Sequence, residues 1–493
     1  MSPGVLILIA ALGIALLLLL VIKFRLQAFL ALLIASLFVA IVGGIPLNEV
    51  AKTIQDGMGS TLGFIAIVVG IGTMLGEMLR ISGGAEQLAR TIVGRFGEER
   101  APWALGLTGF IVSIPVFFDV GLIILIPLVY SLTQRTGRSL LYYALPLAAG
   151  LAVGHSFIPP TPGPVAVAAL LGADLGWVIL FGTIAGLPAM ILGGIVFGKY
   201  ISGKINAKVP EYMMIENYGI SALGNDDDDA IDEPDRITAS RAPQSPDTGV
   251  AVQSRPQQDI PQTDHPRVTT LPSFGVVLGL ILIPLVLILL NTASGVIFPE
   301  GNGIRNFLGF LGHPFTALLI ATLLSFYLLG TKRGYSRREI QEIATKSLEP
   351  VGLIILVTGA GGVFGKTLVA TGVGEALAGA MAQFNLPVIV LAFLLAVAVR
   401  VSQGSATVSM VTAAGLVAPV VQAGTYSAPA VALITIAIAS GATVISHVND
   451  SGFWLISRYL GISEKNTLRS WTVLETIIGV VGFLVVLAIS FFV

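Results

Sequence analysis

An apolar run from 429 to 459 is interrupted at its middle by His447, Asn449, Asp450 and Gly452. Crossing ~30 Å of hydrocarbon takes about 20 residues of helix, so a run this long reads as a membrane span. An ionisable group at the centre of a span costs about 3 kcal/mol or more, and such groups therefore face a cavity. Glycine and polar residues at the midpoint predict two half-helices with an unwound joint, whose freed N–H and C=O groups hold an ion or a substrate.

The rest of the chain is of the same kind. Of its 493 residues 55% are hydrophobic and 11% charged, with mean hydropathy +0.90. A soluble domain carries about a quarter charged residues, so an all-α polytopic membrane protein is expected. The absence of cysteine excludes disulfides, thiol nucleophiles and cysteine metal sites. No nucleophile–base pair or HExxH pattern argues for an intramembrane enzyme, and neither a cofactor nor nucleic acid is called for. The first apolar run has no Lys or Arg before it, and Lys23 and Arg25 follow. It reads as a first span with the N-terminus outside rather than as a signal peptide.

Spans are expected at 4–22, 26–45, 62–80, 142–172 and 177–198, within a first half, 1–202. A second half, 273–493, is expected to hold spans at 274–292, 313–331, 351–370, 429–459 and 472–493. Between the halves, 203–272 contains Asp226, Asp227, Asp228 and Asp229 with many Pro and Gln. It cannot bury enough apolar area to offset its ordering entropy and reads as a disordered cytoplasmic linker. A cation-binding acidic segment is the alternative.

Charge decides how the two remaining apolar stretches, 103–131 and 387–423, are drawn. If both are re-entrant hairpins, the inside collects Lys23 and Arg25, then Arg80, Arg90, Arg95 and Arg100, then Arg135 and Arg138. It also collects Lys332, Arg333, Arg337, Arg338, Lys346, Arg458, Lys465 and Arg469, and the outside keeps only Lys52 and Arg305. This obeys the positive-inside rule and places both termini outside. Each limb of 103–131 is ~13 residues, or ~20 Å of helix, too short to cross alone.

The halves repeat. The segment 72–86 reads GTMLGEMLRISGGAE and 361–375 reads GGVFGKTLVATGVGE. Each is followed by a hairpin and then a broken span with a histidine at its break, His155 or His447. Five crossings per half invert the second copy. The expected fold is therefore two inverted repeats, each with five spans (one broken) plus one re-entrant hairpin, an arrangement typical of secondary transporters.

Four clusters hold the candidate chemistry. The first break carries His155, Pro159, Pro160, Thr161, Pro162, Gly163 and Pro164; one proline would only kink a helix, whereas four unwind it. The second carries His447, Asn449 and Asp450, with Asp450 as the proton-carrier candidate. Its alternative is a structural carboxylate capping a half-helix. The histidines relay protons, bond substrate hydroxyls, or simply hold helices together. The first hairpin tip carries Asp119, a second proton-coupling candidate. The second carries Arg400, Ser402, Gly404, Ser405 and Thr407. Small residues there bring backbone N–H groups close to an anion, and Arg400 suits a carboxylate. The alternative for Arg400 is a permanent salt bridge to Asp119 or Asp450. Glu77, Lys366 and Glu475 are left outside the site, as snorkelling or paired residues.

These motifs together resemble the gluconate permease family of gluconate:proton symporters, which has a D-serine-transporting branch. The matching pieces are PVFFDVG at 115–121, PPTPGP at 159–164, GSATV at 404–408, SHVNDSGFWL at 446–455 and SWTVLET at 470–476. The resemblance covers the chain except the linker. It departs at Thr161, where the family usually has histidine, at Asp119, often glutamate, and in the length of the acidic linker. It implies an ion-transporter-type fold in the plasma (inner) membrane and proton-coupled uptake of gluconate or a related small hydroxy carboxylate. D-serine or glycerate is the alternative substrate, and a channel the alternative mode. An elevator motion is implied by the resemblance only. The partners are then a small carboxylate, protons (or sodium) and the lipid bilayer, with a homodimer as a compatible assembly.

Overall fold

The computed structural model describes residues 1–210, 270–349, 351–373, 375–376 and 387–493. Among these the regular elements are helices, and ten are long and apolar enough to cross a membrane. In the first half they are α1 (Pro3–Ile22), α2 (Ala28–Val42), α3 (Leu47–Ile81), α4 (Gly84–Phe96) and α5 (Ala101–Val112). Then follow α6 (Phe118–Thr136), α7 (Leu140–Phe157), α8 (Pro162–Leu171) and α9 (Leu175–Ser202, with a π turn at Ile191–Val196). The second half has α10 (Phe274–Ile297), α11 (Gly303–Leu311), α12 (Pro314–Arg333), α13 (Arg337–Ser347) and α14 (Val351–Ala370). It ends with α15 (Val388–Gln403), α16 (Ala406–Ala423), α17 (Ala428–Gly441), α18 (Ser451–Leu460) and α19 (Glu464–Ile489, with a π turn at Leu468–Thr472).

The apolar stretches break where the sequence predicts. α5 gives way to α6 at 113–117, α7 to α8 at 158–161, α15 to α16 at 404–405, and α17 to α18 at 442–450. Local chemistry explains each restart. Pro162 occupies the first position of α8, where its missing N–H costs nothing. Ser405 caps α16, accepting from the Val408 N–H, and Asp450 caps α18, accepting from Gly452. In 103–131 the two limbs, expected at ~13 residues each, are unequal: α5 has 12 residues and α6, which runs on to Thr136, has 19.

α3 is 35 residues long, well beyond the expected 62–80, because its first turns continue without a breaker from Leu47. Three further helices lay outside the expected spans: α4, α11 and α13. They are short and amphipathic, and a search for apolar runs passes over them. The first eight residues of the expected linker belong instead to the folded part. Ser139 donates to the Ile205 carbonyl, the Leu140 N–H donates to Ala207, and Pro210 packs against Gly461. The remainder of that segment, 211–269, lies outside the described residues. The repeated motif ends its helix the same way in both copies, with Gly83 (φ 74°) and Gly372 (φ 77°) in the left-handed region.

The core is built on close helix approaches. A Cβ on Gly109 would strike the Leu147 carbonyl, and one on Gly150 would strike the Gly106 carbonyl, so α5 and α7 touch backbone to backbone. α7 is buried along nearly its whole length. A smaller apolar cluster joins α1 and α2 to α14 through Ile9, Leu17, Leu32, Val39, Phe364 and Leu368.

Candidate functional site

Three of the four breaks border one cavity of ≈ 420 Å³. The first turns of α6 (Phe118, Asp119), α16 (Ala406, Thr407) and α18 (Ser451, Gly452) all line it. Helix N-termini present unsatisfied N–H groups and a partial positive charge, so three of them together favour an anion. The last turn of α7 adds His155 and Ser156, and the last turn of α15 adds Arg400. Leu353, Ile354, Val357 and Thr358 of α14 form the apolar wall, with Val408 and Val411 of α16.

Arg400 is only 2% exposed. Its Nη2 donates to Asp450 Oδ2 at 2.6 Å, and its Nη1 donates to the carbonyl of Gly404. Nε has no partner among the described residues. Of the alternatives open in the sequence, the salt bridge to Asp450 is therefore the one formed here. The carbonyl of Gly404 turns back to Arg400 because Gly404 adopts φ 84°, and a Cβ there would also strike Asn449. Asp450 is fully engaged: Ser446 Oγ donates to Oδ2, and the Gly452 N–H donates to Oδ1 at 3.1 Å. Ser446 in turn accepts from Trp471 Nε1 at 2.7 Å. A continuous hydrogen-bonded chain thus runs from α19 through the second break to the tip between α15 and α16. Thr472 Oγ1 donates to the Ser446 carbonyl, and the Ile445 N–H donates to Thr476 Oγ1 at 3.2 Å, tying α19 to the same break.

Asp119 faces the cavity on the other side, exposed and without a hydrogen bond or ion pair among the described residues. His155 packs edge-on to Phe117 with ring centroids 5.9 Å apart, and its buried Nδ1 has no partner among the described residues.

Of the residues singled out in the sequence, Asp119, His155, Arg400, Ser405, Thr407 and Asp450 meet at this cavity. The other five do not line it. Thr161 donates to the Ile158 carbonyl at 2.7 Å and stabilises the unwound joint. Ser402 donates to Ala398 within its own helix, and Gly404 sits beneath Arg400. His447 Nε2 and Asn449 Nδ2 both lie 3.0 Å from the carbonyl of Val401. They clasp the second break to the second tip.

Sequence reasoning left out Glu475 and Trp471, which stand on the cavity wall four residues apart on α19. Glu475 is 4% exposed and its buried Oε1 has no partner among the described residues. The signal was present, since Glu475 lies inside an apolar run. Only the fold shows that this run borders the cavity and not the membrane edge.

A family model described as GntP family permease matches residues 5–223 and 248–492. The low-affinity gluconate transporter of Escherichia coli K12 is 39% identical over 485 residues, covering 98% of each chain. The gluconate permease of Pseudomonas aeruginosa is 37% identical over 480 residues, covering 96% of this chain and 95% of its own. Among solved structures, the YdaH transporter of Alcanivorax borkumensis superposes with TM-score 0.59 at 13% identity, over 91% of this chain and 90% of that one, a likeness of fold. The chain therefore belongs to the GntP permease family: it is a multi-pass membrane transporter and not an enzyme.

Proposed function

We propose that the chain takes up gluconate, or a closely related small hydroxy carboxylate, together with a proton across the plasma (inner) membrane. One observation carries this reading above the others. A guanidinium with an unpartnered Nε and three helix N-termini border a single cavity with hydroxyls on Ser405, Thr407 and Ser451. That set suits a carboxylate followed by a hydroxylated chain. The names of the relatives support gluconate as the first substrate to test.

In this reading Arg400 exchanges partners. It holds Asp450 when the cavity is empty and the substrate carboxylate when it is filled. A buried carboxylate that loses its ion-pair partner is costly to leave charged, so Asp450 takes a proton as it lets go. Asp119, open to the cavity, passes protons between it and water. Both termini lie outside, 103–131 and 387–423 are re-entrant hairpins, and the halves are inverted repeats. The charge pattern and the four helix breaks support this arrangement.

Proteoliposomes loaded with a pH-sensitive dye test it. Labelled gluconate should accumulate against its gradient when the outside is acid, with acidification of the lumen. Equilibration without accumulation would make the protein a channel for this substrate, and accumulation without acidification would remove the proton.

A further inference from the structure

Two buried acids border the transport cavity, and they are held in opposite ways. Asp450 accepts from Arg400, from Ser446 and from the Gly452 N–H, a set that stabilises a charged carboxylate. Glu475 has no such set. Its Oε1 is sealed from solvent and has no partner among the described residues. Arg400, the one permanent cation among the residues lining the cavity, is engaged by Asp450 and the Gly404 carbonyl and acts on Glu475 only through space. Asp119 on α6 and His155 on α7 are the other ionisable groups that line the cavity, and α14 contributes none. A carboxyl buried without a cation or a donor neutralises itself by keeping its proton. Glu475 is therefore a neutral acid here. It stays one when Arg400 turns to the substrate, because that exchange brings in another carboxylate and no further cation. A neutral carboxyl, unlike a carboxylate, has an O–H to donate. With Oε1 sealed, Oε2 is the oxygen that meets the cavity. Its place is fixed by Thr472 and Thr476 on either side, whose hydroxyls are bonded to the Ser446 carbonyl and the Ile445 N–H.

We propose that Glu475 is a specificity-determining residue of this cavity, whose neutral carboxyl donates its O–H to the substrate hydroxyl next to the carboxylate. That hydroxyl is the one within reach, because Arg400, which takes the carboxylate, and Glu475 act on each other across the cavity. A substrate without it leaves the donor unpaired. This inference rests on the reading of the protein as a transporter of gluconate or a related hydroxy carboxylate, and it adds no proton to the count bound with each substrate.

Calorimetric titration of the purified full-length protein tests this, with gluconate and 2-deoxygluconate as probes. Buffers of differing ionisation enthalpy give the protons bound per ligand. Wild type should bind gluconate about tenfold more tightly than the deoxy compound. Glu475→Gln, whose amide still donates, should keep that preference to within about threefold and bind as many protons per gluconate as wild type. Glu475→Met, of similar length but without a donor, should bind the two ligands alike, as weakly as wild type binds 2-deoxygluconate. A preference that survives in Glu475→Met, that is lost in Glu475→Gln, or that is absent from wild type overturns the proposal. A proton lost in Glu475→Gln overturns it too, since the acid would then titrate on binding. Loss of both ligands in both variants, with both monodisperse on size exclusion, assigns Glu475 a structural role and overturns it as well. Wild type that binds gluconate without taking up a proton overturns proton coupling alone. Wild type that binds no gluconate overturns the transport reading and this inference together.

Discussion

Arg400 spends its charge on two partners, Asp450 Oδ2 and the Gly404 carbonyl, and keeps Nε in reserve. Lysine would keep the charge but lose the planar fork. With Arg400→Lys the Km for gluconate should rise roughly 10- to 100-fold, the loss of one or two charge-assisted hydrogen bonds. Uptake kinetics in vesicles measure this against protein amount. If Arg400 serves only to neutralise Asp450, then Arg400→Gln combined with Asp450→Asn should restore carboxylate affinity; the anchoring reading expects it to bind none. Asp450→Asn alone should abolish substrate-driven acidification while exchange of labelled for unlabelled gluconate continues, since exchange moves no net proton. Arg400, Asp119 and Asp450 were legible in the sequence because a charge inside an apolar run has few explanations. Their pairing was not. Arg400 and Asp450 are fifty positions apart, and no local pattern says which acid faces which base. The contact that His447 and Asn449 make is equally out of reach of local pattern. Their shared acceptor, the Val401 carbonyl, is a backbone atom on another helix.

Helices are positioned here by close approach. Gly150 faces the Gly106 carbonyl and Gly109 faces the Leu147 carbonyl, so any side chain at either position pushes α5 off α7. Gly150→Leu should therefore lower the melting temperature sharply or prevent folding, whereas Gly59→Leu, which meets nothing within 4 Å, should not. Thermal unfolding in detergent, followed by size exclusion, compares the two. The positions of the long helices and of the four breaks were readable, because apolar length and proline, glycine or polar interruptions are local properties. The amphipathic helices α4, α11 and α13 were not, since a helix that is half polar does not register as an apolar run. The full length of α3 was missed because its polar beginning, with Glu49, Lys52, Gln55 and Asp56, looks like a loop by composition.

The whole chain contains no cysteine, so a single introduced one is an unambiguous probe of sidedness. Gly137→Cys, at the end of α6, should react with impermeant reagents only from the cytoplasm, and Gly303→Cys, at the start of α11, only from outside. Labelling of position 137 from outside would show that 103–131 crosses the membrane. The family match passes over 224–247, which includes the four consecutive aspartates. Deleting that segment should leave gluconate uptake nearly unchanged, because a longer or shorter connection costs only about 0.6 kcal/mol per doubling of length. The chain also has four tryptophans, Trp103, Trp177, Trp454 and Trp471. Trp471 alone among them is nearly sealed from solvent, 3% exposed, with its indole N–H held by the serine that also holds Asp450. Opening the Arg400–Asp450 pair must disturb that indole. The molecule therefore carries its own optical gauge of the exchange: gluconate should shift the emission of the wild-type protein, and Trp471→Phe should erase the shift while the other three continue to shine.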